Sequence, residues 1–361
     1  FGANYLKSCE QEAIIFCNGD NDTFPLWYNI EVEEERNDVR ACNLSYLQTD
    51  WYIDQMRRPY YNSPGLPISW DNADYMPGKN EIAWVENRLN APLEVKKAFQ
   101  FLHSSDPRTK RDGDDYLPTD QLYVFSPDSQ KIMFKKARRY TRSEMMVMDM
   151  LSTNEWKRPM YFAVTIGSDY HLGLDPYLEL TGMAYRITPE RSQDGKPRVN
   201  TEVMYDNMLN KFKYGNVNVP GIYIDENTMR MCRTHRMMFS QLAEALYYEG
   251  KHDKVLDVLD FAEKMLPGYN VPYDYTSATM ATLYYALDQM DKGNAIMTKV
   301  ADNCVEYMMW GNSLDKEQRR AAQSTIGHHS AVLGFVLNNF QRHEQKELFN
   351  KYFELYEQYA N

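Results

Sequence analysis

Ala13-Ile14-Ile15-Phe16-Cys17-Asn18-Gly19-Asp20-Asn21-Asp22-Thr23-Phe24-Pro25-Leu26-Trp27-Tyr28-Asn29-Ile30-Glu31-Val32 is the stretch that decides the fold of the first part of the chain. Its first five residues form a continuous apolar run of buried-strand type, stopped by Asn18-Gly19. From Phe24 to Val32 the apolar residues recur at helical spacing; Pro25 suits a first-turn position, and Asp22 or Thr23 can cap the helix. A second β-like run, Asp38 to Leu44, comes next. A strand-helix-strand unit favours parallel pairing with the helix packed on one sheet face. The expectation is a three-layer, Rossmann-like α/β domain over residues 1–228.

Further strands are predicted at Gln121–Phe125, Lys131–Phe134 and Pro159–Thr165, with a helix at Ser143–Ser152. Residues 58 to 80 carry four prolines and read as an irregular loop of the kind that is functional or mobile in compact domains. The chain opens in a helical pattern without an initiator Met, so it reads as a piece of a longer protein. From Met229 the pattern is wholly helical. Phe239, Leu242, Ala243, Leu246, Gly250, Val255, Leu259, Ala262 and Pro267 follow the tetratricopeptide consensus. A degenerate repeat, Ala281 to Ala301, lacks the turn glycine, and a polar-faced capping hairpin is expected over about 316–358. Residues 229–361 are thus predicted as an all-α tetratricopeptide-like helical-hairpin domain.

Composition narrows the functional classes. A net charge of −11 with no long basic block excludes the phosphate-neutralising field of a nucleic-acid binder. No run approaches the roughly 18 apolar residues of a membrane span. The five cysteines have no metal spacing, and Cys17 and Cys42, within apolar runs, read as buried free thiols. No hydrolase triad, phosphate loop or histidine metal pair can be assembled; adjacent His328 and His329 would point apart on a helix. No cofactor and no metal site are therefore expected.

Two polar segments should emerge at one sheet edge, since each follows a predicted strand and the carboxyl ends of parallel strands are where ligands bind. The first is Asn18 to Thr23, with Asp20, Asn21, Asp22 and Thr23 as candidates. The second supplies Asn43, Tyr46, Thr49, Asp50 and Trp51, where Trp51 and Tyr52 can offer stacking planes. The alternative for Asp20 and Asp22 is loop and cap duty, and for Thr49 or Asp50 the cap of a helix Trp51–Arg57. Asn21-Asp22-Thr23 and Asn43-Leu44-Ser45 also fit the N-glycosylation acceptor pattern, which is frequent by chance.

Residues 17–61, CNGDNDTFPLWYNIEVEEERNDVRACNLSYLQTDWYIDQMRRPYY, resemble the hallmark region of a family of large Bacteroidetes membrane proteins described as protein O-mannosyltransferase-like. The resemblance continues through Leu66-Pro67-Ile68-Ser69-Trp70 and Arg158-Pro159-Met160-Tyr161-Phe162 into the helical tail. It implies a membrane-spanning N-terminal region similar to lipid-sugar-dependent glycosyltransferases, bearing the acidic catalytic residue, followed by a periplasmic soluble region. This chain is similar to the soluble part alone. By resemblance, then, it is an accessory region, non-catalytic by itself, that binds a glycan or acceptor polypeptide, docks a protein through its helical hairpins and joins the membrane through spans outside it. Two alternatives stay open: a metal-dependent enzyme of phosphoryl or glycosyl chemistry using Asp20, Asp22 and Asp50, and a purely structural or interaction module.

Overall fold

The computed structural model describes residues 1–359, which form two compact units, Phe1–Lys213 and the part from Tyr214 onward. The first is mixed α/β with several sheets; the second is all helical. Residues 214–228, assigned to the α/β part from sequence, go with the helical unit, because Tyr214 stacks on Phe239 and the Asn270 amide donates to the Val217 and Val219 carbonyls.

The main sheet of the first unit is built from β1 (Ile14–Cys17), β2 (Arg40–Asn43), β3 (Met160–Ala163), β4 (Leu178–Leu180), β5 (Ala184–Ile187) and β6 (Arg198–Val199) in the order β6-β4-β5-β3-β1-β2. β1 runs parallel to both β2 and β3, as the strand-helix-strand reading requires, whereas β5 lies antiparallel to β3 and β4. Every residue of β1, β2 and β3 is buried. Burial on both faces is why these strands read as unbroken runs instead of alternating ones. The predicted strands near 122 and 131 pair antiparallel in a separate three-stranded sheet, and a four-stranded sheet includes Ile82–Val85.

α1 (Gly2–Lys7) packs on α2 (Asp20–Glu31), which joins β1 to β2. Gly2 permits that approach: a Cβ there would come within 2.2 Å of the Pro25 carbonyl oxygen. α2 starts earlier than expected. Gly19 is its N-cap at φ 75°, ψ 173°, backbone that only glycine adopts without strain. Asp22 and Thr23 are therefore first-turn residues and not caps, and Pro25 sits sixth, inside the helix. α3 (Asp50–Met56) has Thr49 at its N-cap position, but the Thr49 hydroxyl turns back to donate to the Tyr46 carbonyl at 2.7 Å.

Residues 58–80 are largely irregular, as expected, and are tied to the rest of the unit by hydrogen bonds. Arg158 donates to the carbonyls of Glu12, Pro64 and Gly65 at 2.9, 3.2 and 3.1 Å. Asp149, on α4 (Arg142–Asn154), accepts from the Ser69 N–H at 2.7 Å and the Ser69 hydroxyl at 2.5 Å. Asp149 is 1% exposed, and burial pushes its carboxyl up to about 6, against which the two Ser69 bonds act only in part. The folded state therefore holds this proton more tightly than the unfolded chain does. On this group's account stability is highest below pH 3.8 and falls as pH rises to about 6, by roughly 3 kcal/mol in full. Asp149→Asn should accordingly gain on the native chain by about that amount between pH 4 and pH 7. Urea midpoints at a series of pH values measure it, and a difference flat with pH contradicts the assignment.

The helical unit consists of α5 (Glu226–Tyr248), α6 (His252–Met265), α7 (Tyr275–Ala286), α8 (Met290–Ser313), α9 (Gln323–Arg342) and α10 (Lys346–Tyr359), with one extra turn at Lys316–Ala321. α5 packs on α6, α7 on α8, and α9 on both α8 and α10. Phe239, Leu242, Ala243, Leu246, Val255, Leu259 and Ala262 are all buried, and Gly250 turns at φ 73°. The second hairpin closes without a glycine because Asp288 takes the left-handed conformation, φ 58°. Gly293 then lets α8 lie on Tyr285, whose ring would stand 2.5 Å from any added Cβ. α8 extends well beyond Ala301, and of α10 only Tyr352 is buried, in keeping with a polar-faced end.

Candidate functional site

The ends of β1 and β2 are fastened to each other through Thr23. Its hydroxyl donates to the Gly19 carbonyl at 2.7 Å and accepts from Asn43 Nδ2 at 2.8 Å. A hydroxyl has one proton to give, so Cys17, 3.2 Å away, must be donating its S–H. Burial pushes the Cys17 thiol up to about 12 and Cys42 well above its usual range, so neither is a nucleophile at neutral pH. Asn43, fully buried, uses Oδ1 to accept from the N–H groups of Ser45 and Tyr46 at 2.8 and 3.2 Å, which shapes the turn after β2. Its burial also removes Asn43-Leu44-Ser45 as a glycosylation acceptor.

The two predicted segments meet. Ser45 donates to Asn18 Oδ1 at 2.7 Å, and the Tyr46 hydroxyl reaches Asp20 Oδ1 at 3.4 Å. The carboxylates of the first segment divide. Asp22 turns inward and accepts from Thr165, after β3, at 2.7 Å; burial raises its pKa against the lowering by Thr165 and the Asn18 N–H. Asp20 stays exposed with Asn21. Asp20, Asp22 and Asp50 do not converge, and among the described residues no group of three or more His, Cys, Asp or Glu could hold a metal ion. The cation-dependent alternative loses its ligand set.

What the edge does present is a run of aromatic rings. Tyr46 lies between Trp27, 6.2 Å away and stacked, and Trp51 at 5.9 Å, and Phe24 adjoins Trp27 at 5.7 Å. Phe24 is 50% and Trp51 54% exposed. The buried stripe of α2 is Leu26 and Ile30; Phe24, exposed, and Trp27, half-buried, both read from sequence as part of its apolar face, lie outside it. Their i, i+3 spacing beside a surface loop was the available signal. Tyr52 supports the run from beneath, its hydroxyl accepting from the Asn43 N–H at 2.9 Å, and buried Arg142 holds the loop by donating to the Gln48 carbonyl at 2.6 Å.

Two carboxylates in the first turn of α2 complement its dipole and repel any anionic ligand. Rings bordered by a carboxylate, an amide and hydroxyls suit an uncharged, hydroxyl-rich ligand.

Residues 1–206 match the family described as TMEM260-associated domain 2. The chain belongs to that family. The match nearly fills the α/β unit and leaves the helical unit outside it. At this level it agrees with the resemblance to O-mannosyltransferase-like membrane proteins. No curated protein and no solved structure matches the chain. No helix among the described residues of this TMEM260-associated domain protein is long and apolar enough to cross a membrane.

Proposed function

We propose that this chain is the extracytoplasmic, periplasmic accessory region of a Bacteroidetes membrane glycosyltransferase-like protein. Its Rossmann-like α/β unit binds a glycan, free or carried by an acceptor polypeptide, and its tetratricopeptide-like hairpins dock a protein partner. Catalysis belongs to membrane-embedded segments outside this sequence. The single observation that carries the reading is the ring run Phe24, Trp27, Tyr46 and Trp51, exposed at Phe24 and Trp51 and half-buried between them, beside Asp20 and Asn18. Aromatic faces take the apolar side of a pyranose, and the polar neighbours take its hydroxyls. Family membership adds a glycosyltransferase-associated context.

A glycan array probed with the purified chain tests this. The expected result is selective binding that Trp51→Ala weakens about tenfold, worth about 1.4 kcal/mol, and that Asp20→Ala also weakens. No glycan retained, or binding unaffected by both substitutions, sinks the site assignment.

A further inference from the structure

A cavity of about 850 Å³ lies in the helical unit between α6, α8 and the turn that links α6 to α7. Small-molecule sites occupy about 300–1,000 Å³. Its mouth is fixed in place. Tyr269 is 62% exposed, yet its hydroxyl donates to the Asn218 carbonyl at 2.6 Å. The Tyr273 ring packs on Gly268, where an added Cβ would come within 2.6 Å of it, and Asn303 on α8 donates to the Tyr273 carbonyl at 3.0 Å. Tyr284 and Ile296 supply buried wall.

The two helices also supply charge, and they use it differently along their length. At one end the walls are bridged: Lys292 of α8 donates to both carboxylate oxygens of Asp260 of α6 at 2.7 Å, and the Tyr284 hydroxyl donates to the same group at 2.7 Å. One turn along α6 stands Glu263, and two turns along α8 stands Lys299, again an acid and a base lining the one cavity. Here the walls stay apart, since among the described residues no ion pair joins Glu263 or Lys299 to any group. Glu263 Oε2 accepts from the Tyr273 hydroxyl, while Oε1 accepts from nothing in the chain and is not sealed from solvent. Burial pushes the Glu263 carboxyl up; the Tyr273 bond and Arg236, itself spent on three carbonyls, act the other way.

These unmatched charges select the occupant. A simple cation at Glu263 would be repelled by Lys299, and a simple anion at Lys299 by Glu263. A molecule with both charges answers each, and because the walls do not close on one another its charges must stand apart on an apolar body. An α-amino acid carries ammonium and carboxylate on one carbon; a short peptide with free ends separates them, each residue adding up to about 3.5 Å, and offers side chains to Ile296 and Tyr284. We propose that the cavity binds a short peptide with free termini, its ammonium on Glu263 Oε1 and its carboxylate on Lys299 Nζ. The inference does not depend on the glycan reading of the α/β unit.

Calorimetric titration of the full chain with the tripeptide Ala-Leu-Ala, its N-acetylated and C-amidated forms, and leucine tests it. Free Ala-Leu-Ala should bind, either block should weaken it about tenfold or more, and leucine should bind more weakly than the tripeptide. Glu263→Gln, which keeps an acceptor for Tyr273, should erase the penalty for N-acetylation and leave that for amidation. Lys299→Met, at an exposed and unpaired position, should do the reverse. The blocked peptides on the native chain decide the matter even where a variant fails to fold. The site is overturned by no heat from Ala-Leu-Ala at millimolar concentration, by blocked and free peptides that bind alike, or by leucine that binds as tightly as the tripeptide. A penalty that neither substitution moves overturns it as well.

Discussion

Asn43→Ala is expected to destabilise the α/β unit by about 2–4 kcal/mol and to weaken glycan binding at least tenfold. Asn43 has no solvent exposure; its amide nitrogen donates to Thr23 and its oxygen accepts from the Ser45 and Tyr46 N–H groups. Alanine leaves the Ser45 and Tyr46 N–H groups without their acceptor and deprives Thr23 of a donor, and each unmet buried group costs about 1–3 kcal/mol. Against a domain stability of about 5–15 kcal/mol this is a large fraction. The binding loss has a separate cause: the turn sets Tyr46 between Trp27 and Trp51, so its collapse breaks the ring run. Thr23→Val separates the two effects. It removes the other end of the Asn43 bond but leaves the turn acceptor in place, so stability should fall by about 1–3 kcal/mol with glycan binding retained. Urea unfolding followed by tryptophan fluorescence, together with titration under native conditions, provides both numbers. An Asn43→Ala chain within 1 kcal/mol of the native one contradicts the account.

The second large effect lies in the helical unit. Arg236→Met should cost that unit about 3–5 kcal/mol. Arg236, on α5, is 1% exposed and donates to the carbonyls of Leu266, Val271 and Pro272 at 2.8, 2.7 and 2.9 Å, closing the end of α6 and the following turn onto α5. Tyr273 covers the guanidinium at 5.3 Å. Burial lowers the Arg236 pKa, and Asp274, Glu263 and Tyr273 act in the opposite direction, so backbone dipoles and near carboxylates hold the ion. Methionine fills similar volume, and the loss it reports is therefore that of the three charge-assisted bonds. Arg236→Lys keeps the charge but not the planar fork and should lie between the two. Circular dichroism during urea unfolding measures the change. An unaltered helical transition rules out the clamp.

Much of the architecture was legible because it is written in local preferences. Ala13 to Cys17 read as a buried strand from its short apolar run ended by Asn18-Gly19, and the apolar spacing from Phe239 to Ala262 placed two helices about Gly250. The convergence of the Asp20 and Tyr46 segments followed from connectivity, since both leave parallel neighbours at the same edge. Local rules failed where a side chain answered to a distant partner. Asp22 read as a cap or as Asp20's companion; Thr165, 143 positions away, draws it inward. The loop at 58–80 read only as irregular; its ties to Asp149, 80 positions from Ser69, and to Arg158 were not legible.

Sequence alone thus determined the strand-helix-strand opening, the switch to helical hairpins, the family, and the meeting of two polar segments, because hydrophobic period, turn residues and chain connectivity are properties of contiguous residues. Tertiary structure alone decided that Phe24 faces outward, that Asp20 and Asp22 part and that Arg236 closes a helical turn. Those outcomes depend on which groups burial brings together, and a buried polar atom takes whatever partner the whole fold supplies or goes without one.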